Sequence, residues 1–260
     1  MKNAFNWIVI VLTLIICFTF YYLVMGDPSG FLDGEIRHEP DPNNLLAVIY
    51  TGGPIVALLL SFIVIGITFS IERLWVLAKA KGTGNPEVFI KNVISDLANG
   101  NLDDALVKCD QQRGSVANIL RAAIIRFKEV ENDSEFLNEK KITEVQRAID
   151  EAMNLETPLL EKNLVILSTI ASVSVLFGLL GTTLGMIRAF QALAQSGTVS
   201  ATQLSIGISE ALYNTAGGLI GALIAILMYN FFTTKVDNFV YMIDEAILSV
   251  TQIFTGRIKK

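Results

Sequence analysis

GISEALYNTAGGLIGALIAILMYNFF, running from Gly207 to Phe232, combines two features that rarely share one helix. The apolar run from Ala211 to Thr234 is long enough to cross about 30 Å of hydrocarbon, which takes roughly 20 helical residues. Yet Glu210 stands in the outer third of the quoted stretch, and Gly217, Gly218 and Gly221 remove side chains where lipid contact favours bulk. Wound at about 100° per residue, Glu210, Ala211, Asn214, Thr215, Gly217, Gly218, Gly221, Ala222 and Ala225 share a face about 160° wide. Leu212, Leu219, Ile220, Leu223, Ile224 and Leu227 take the rest. The bulky side suits acyl chains, and the small side calls for a protein or wet neighbour.

Three more uncharged stretches have the same reach: Trp7 to Met25, Leu45 to Ile71 and Leu164 to Ile187. With 52% apolar and 17% charged residues among 260, the chain reads as an all-α, polytopic membrane protein whose long transmembrane helices extend into a helical cytoplasmic domain. No small-residue cleavage pattern follows Met25, so the first stretch is expected to be a retained helix rather than a signal peptide. A net charge of -5 without a basic block excludes a nucleic-acid partner. The bilayer is the partner that composition implies.

The expected organisation is an N-terminal transmembrane helix (1–26), an acidic periplasmic loop (27–44) and a second transmembrane helix (45–78). A cytoplasmic helical domain (79–160), a third transmembrane helix (161–190), a periplasmic loop (191–205), a fourth transmembrane helix (206–234) and a cytoplasmic C-terminal helix (235–260) complete it. Lys and Arg crowd into the middle segment and the tail, whereas the 27–44 loop carries Arg37 against five acids and the 191–205 loop carries none. The positive-inside bias therefore puts both termini in the cytoplasm. Ile142, Val145, Ile149, Met153 and Leu160 keep a helical period into the third span, predicting one continuous rod with Pro158 as a possible kink site. Val236, Phe239, Val240, Ile243, Ile247, Val250 and Ile253 predict that the tail continues the last span.

Several chemistries lack their residues. His38, the single histidine, sits in the acidic loop with no Cys or second His to complete a metal set. No phosphate-cradling Gly-rich loop ending in Lys and Ser or Thr occurs, nor a nucleophile elbow. Neither an enzyme, a cofactor nor a bound metal is expected. Cys17 and Cys109 fall in different compartments, so no disulfide is expected.

The third and fourth spans form a hairpin whose middle lies near Thr198. Thr182 is 16 residues before that point and Thr215 is 17 after it, which puts the two hydroxyls at nearly one depth. On the third span Ala171, Ser174, Gly178, Thr182, Gly185 and Ala189 fall within about a quarter-turn, with Gly181 close by. Two readings of these stripes stand: small residues that let helices pack tightly, or a polar lumen served by Glu210, Asn214, Thr215 and Thr182. Glu210 lies about 6 Å below the outer helix end. It either marks an ion route or pairs with a neighbour, for which Arg188 is the candidate; Arg188 alternatively snorkels to water.

FGLLGTTLGMIRAF (Phe177 to Phe190), GISEALYNTAGGL (Gly207 to Leu219), and GGP (Gly52 to Pro54) followed by an apolar run into ERLW (Glu72 to Trp75) resemble the MotA/TolQ/ExbB family of proton-channel subunits. The resemblance covers the chain from Gly52 onward and favours the ExbB/TolQ branch; span prolines expected of the flagellar type are missing. It implies a subunit of the bacterial inner membrane, in a homo-pentamer around the helices of an ExbD/TolR-like partner whose membrane Asp carries protons. It further implies coupling to a TonB-like or TolA-like protein. By motif position it assigns the proton pathway to Thr182, Thr215 and Glu210, beside Asn214. The small residues Gly178, Gly181, Gly185, Gly217, Gly218 and Gly221 would then give packing or a smooth pore wall. ExbB-like energising of outer-membrane transport, a TolQ-like envelope role and a non-conducting helical scaffold all remain open on the sequence.

Overall fold

A computed structural model describes residues 2–32, 40–131, 133, 137–195 and 201–258. His38 and Arg37, Thr198, and the final two lysines fall outside them. The described residues are almost wholly helical, with one isolated bridge between Phe31 and Pro40 and no strand. The helices are α1 (Lys2–Phe20), α2 (Leu45–Tyr50), α3 (Pro54–Lys81), α4 (Pro86–Ala98), α5 (Leu102–Gln112), α6 (Ser115–Glu131), α7 (Asn138–Glu161), α8 (Leu164–Gln195) and α9 (Ala201–Ile258). Among the described residues, four helical stretches are long and apolar enough to cross a membrane. The chain divides into two compact units, residues 1–71 with 165–230 and residues 72–164 with 231–260.

In the first unit, α3, α8 and α9 carry long apolar runs, and the end of α1 packs on the start of α3. The expected single helix from Leu45 is instead two. Asn44 caps α2 by accepting from Ala47 N, and the chain then breaks at Gly52–Gly53 before Pro54 opens α3. Proline suits a first helical position because its missing N–H is not needed there, while it drives the preceding residue out of helical geometry. Gly53 takes φ +78°, a backbone region that side chains disfavour. α1 likewise ends sooner than its apolar run, giving way at Tyr21–Met25 to a π-helical turn. The expected loop over 191–205 is shorter, because α8 continues to Gln195 and α9 starts at Ala201.

In the second unit, α4 starts on Asn85, whose side chain accepts from Glu87 N at 3.0 Å, with Pro86 following. The apolar stripes of α4 to α7 and of the α9 tail bury Val93, Ile119, Ile124, Val145, Ile243 and Val250. Phe127 and Phe254 stack at 4.0 Å between centroids, 7° from parallel. α9 runs unbroken through the tail, as its period predicts. The expected rod from α7 into α8 is broken, and not at Pro158, which α7 contains. The break lies at Lys162 and Asn163, where Asn163 adopts φ +66°. Arg73 donates through Nη1 to the carbonyls of Leu159 at 3.5 Å and Leu160 at 3.3 Å, serving helix-end acceptors that a next turn would have used.

Candidate functional site

α8 and α9 pack backbone to backbone. A Cβ on Gly178 would lie 3.1 Å from Gly218 Cα, one on Gly218 2.6 Å from Ser174 O, and one on Gly185 2.8 Å from Ala211 N. At Gly218 and Gly185 no side chain fits without a backbone shift, and at Gly178 one would be tight, so the glycines permit the contact itself. Gly181 lies against the Asn214 side chain, while Gly217 and Gly221 face Leu59 and Ile63 of α3 at 3.4 Å. All six glycines of the two stripes therefore meet other helices of the same chain. What lies beside the seam is its rim, and on that rim are Thr182 and Thr215, both half-buried.

The threonine hydroxyls, 33 residues apart in sequence, hydrogen-bond each other. Thr182 Oγ1 also donates to Gly178 O at 3.1 Å. A hydroxyl has one hydrogen, so Thr215 is the donor between the two, and its own oxygen keeps acceptor capacity. The pair is a short polar thread on an otherwise apolar edge bordered by Leu179, Leu212 and Leu219.

Outward on α9, about one and a half turns from Thr215, Glu210 pairs with Arg188 Nη1 of α8. The carboxylate side chain is 8% exposed and the guanidinium side chain 49%, so the acid is shielded while its partner reaches outward. The Gly52–Gly53 turn closes over this pair: a Cβ on Gly53 would sit 2.8 Å from Glu210 Oε1 and 3.3 Å from Arg188 Nη1. One turn inward, fully buried Asn214 donates from Nδ2 to Gly52 O at 2.7 Å. The sequence reading named Glu210, Asn214 and Arg188 but did not bring the Gly52–Pro54 motif to them. Its only signal was paired glycines ahead of a helix-opening proline.

The signature of the MotA/TolQ/ExbB proton channel family spans residues 111–245, just over half of the chain. The chain belongs to that family. Thr182, Arg188, Glu210, Asn214 and Thr215 all lie within the matched stretch, whereas α1 to α4 lie outside it. The ExbB-like protein 3 of Synechocystis sp. is 31% identical over 184 residues, 70% of this chain and 81% of that protein. The Tol-Pal system protein TolQ of Haemophilus influenzae is 38% identical over 112 residues, 43% of this chain and 48% of its own. The biopolymer transport protein ExbB of Aquifex aeolicus is 40% identical over 77 residues, 30% of this chain and 52% of its own. The chain thus matches about half the length of these last two. With four helices able to span a bilayer, this ExbB/TolQ-type family member is a membrane protein.

Proposed function

We propose that the chain is the ExbB-like subunit of a proton-driven inner-membrane motor that energises TonB-dependent outer-membrane transport. Both termini face the cytoplasm, and five copies surround the helices of an ExbD/TolR-like partner. The observation that carries this reading is the hydroxyl thread of Thr182 and Thr215 on the rim of the α8–α9 seam, with Glu210 outward of it. A partner carboxyl passing that rim finds a free acceptor in Thr215 Oγ1 when neutral and, when charged, a donor once the Thr215 hydrogen turns from Thr182 to it, which suits a group that changes protonation inside a membrane. One charge crossing 100 mV releases about 2.3 kcal/mol, so a few protons can power a mechanical step. A TolQ-like role in the envelope is supported by the TolQ match and differs in the protein driven.

Thr182→Val, Thr215→Val and Glu210→Gln test the reading when proton-dependent uptake is measured beside the amount of complex that co-purifies with the partner. Expected is loss of uptake with assembly intact. Full uptake in all three variants refutes a conducting role and favours a scaffold. Co-purification of a TolA-like rather than a TonB-like protein moves the assignment to the TolQ-like branch.

A further inference from the structure

The N-terminal segment, which the proposed function leaves without a task, reaches the candidate site through the Gly52–Gly53 turn. After α1 the π-helical turn leads into a short 3-10 turn at Pro28–Gly30, and the chain returns along α2. A buried cluster ties these pieces to α3: Tyr21, Met25, Phe31 and Tyr50 with Val56 and Ala57. The Tyr21 and Tyr50 rings stack at 4.5 Å and 22°, and Phe31 meets Tyr50 edge-on at 5.9 Å. Gly26 packs so closely on the Tyr50 ring that a Cβ there would come within 2.8 Å.

Tyr21 is fully buried, and its phenol donates to Tyr50 O at 3.0 Å. The same carbonyl accepts Gly53 N–H at 3.1 Å, using its second lone pair. The next peptide, Gly52 C=O, receives the Asn214 amide, and Gly53 covers Glu210 and Arg188. The Tyr21 hydroxyl and the Glu210 carboxylate thus meet the same Tyr50–Gly53 turn.

We infer that Tyr21 is a positioning residue that holds the Gly52–Gly53 turn over Glu210 and Asn214, making the N-terminal helix a brace on that site. A buried phenol must keep a partner, so the bond is retained wherever the cluster is packed. The brace residues all lie outside the stretch spanned by the family signature. The importance of the braced site rests on the proposed function; the bracing itself does not.

The test is the rate at which dicyclohexylcarbodiimide, a membrane-soluble carboxyl reagent, modifies Glu210 in membranes carrying the complete chain, read by mass spectrometry of the Glu210 peptide. Tyr21→Phe keeps the ring stack and removes the hydrogen bond to Tyr50 O. Tyr22→Phe, whose half-exposed ring only meets Tyr21 edge-on at 5.1 Å, is the control. Expected is modification of Glu210 about five-fold faster in Tyr21→Phe, the factor that one lost hydrogen bond represents, and the wild-type rate in Tyr22→Phe. An unchanged rate in Tyr21→Phe, or equal acceleration in both variants, overturns the brace. Proton-dependent uptake by the same variants separates the two readings. Faster modification with full uptake leaves the brace standing, and the proposed function then stands or falls separately on uptake by Glu210→Gln.

Discussion

Two arginines of this chain each pair with a glutamate, and they are buried the opposite way round. At the end of α7, Arg73 is 1% exposed and its partner Glu72 30%. At the outer part of the hairpin, Arg188 is 49% exposed and its partner Glu210 8%. Arg73 uses four of its five donors: Nε and Nη2 bind both oxygens of Glu72 at 2.7 Å, and Nη1 holds the two α7 carbonyls. Asn163 Nδ2 adds a 3.3 Å bond to Glu72. Such a guanidinium has nowhere else to go. Arg188 instead reaches its acid from a half-exposed position, on a long side chain. A buried cation with four of its five donors engaged serves as a fastener, whereas a half-exposed cation beside a shielded acid is the looser half of its pair.

The comparison breaks first at Arg73. Arg73→Met leaves helix-end carbonyls unpaired and is expected to cost about 3–5 kcal/mol, seen as a large fall in melting temperature of the purified chain. Arg73→Lys does not restore it, because an ammonium cannot reproduce the planar fork. Next comes Asn214→Ala, which strips Gly52 O of its donor at a cost of about 1–3 kcal/mol by the same measurement. Arg188→Gln is expected to shift stability by about 1 kcal/mol or less, since exposed cations contribute little, while Glu210 becomes more open to carbodiimide. Equal losses at Arg73 and Arg188 would erase the distinction between fastener and looser partner.

Smaller effects follow in the second unit. The Arg126 guanidinium, 2.5 Å from Glu144, holds that carboxyl below its ordinary value through a hydrogen bond. A depressed carboxylate stabilises the fold above its unfolded pKa and loses that contribution as pH falls through the lower, folded value. Melting of wild type and Glu144→Gln should therefore differ at about pH 6, and the difference should shrink as pH falls below the ordinary carboxylate value. At Cys109 no change at all is expected: burial pushes the thiol up to about 12, so maleimide at about pH 8 should leave it unmodified until the unit unfolds.

Much of the architecture was legible because a bilayer imposes its thickness on the chain. The run from Ala211 to Thr234 and the period from Val236 to Ile253 are consequences of which side of a helix meets acyl chains or a core, and both appear in α9. The meeting of Thr182 and Thr215 followed from counting, since antiparallel helices rise equally per residue. The breaks at Gly53 and Asn163 were not legible, because both lie beside apolar runs and hydropathy says nothing about backbone dihedrals. Nor could the small stripe reveal its neighbour. A row of glycines states that something comes close, and only the packing showed that the row meets α8, α9 and α3 of the same chain, leaving the threonines at the rim. Arg73 was marked only as part of the ERLW motif, and its clasp of α7 stayed hidden because those acceptors are backbone carbonyls.

The most direct measurement is imaging of the complex co-purified with its ExbD-like partner. Expected is a ring in which Thr182 and Thr215 face a central partner helix, with that helix's carboxyl near their depth and Glu210 outward of it. Threonines turned toward acyl chains, or a ring with no occupied centre, would contradict a proton path along the rim of α8 and α9.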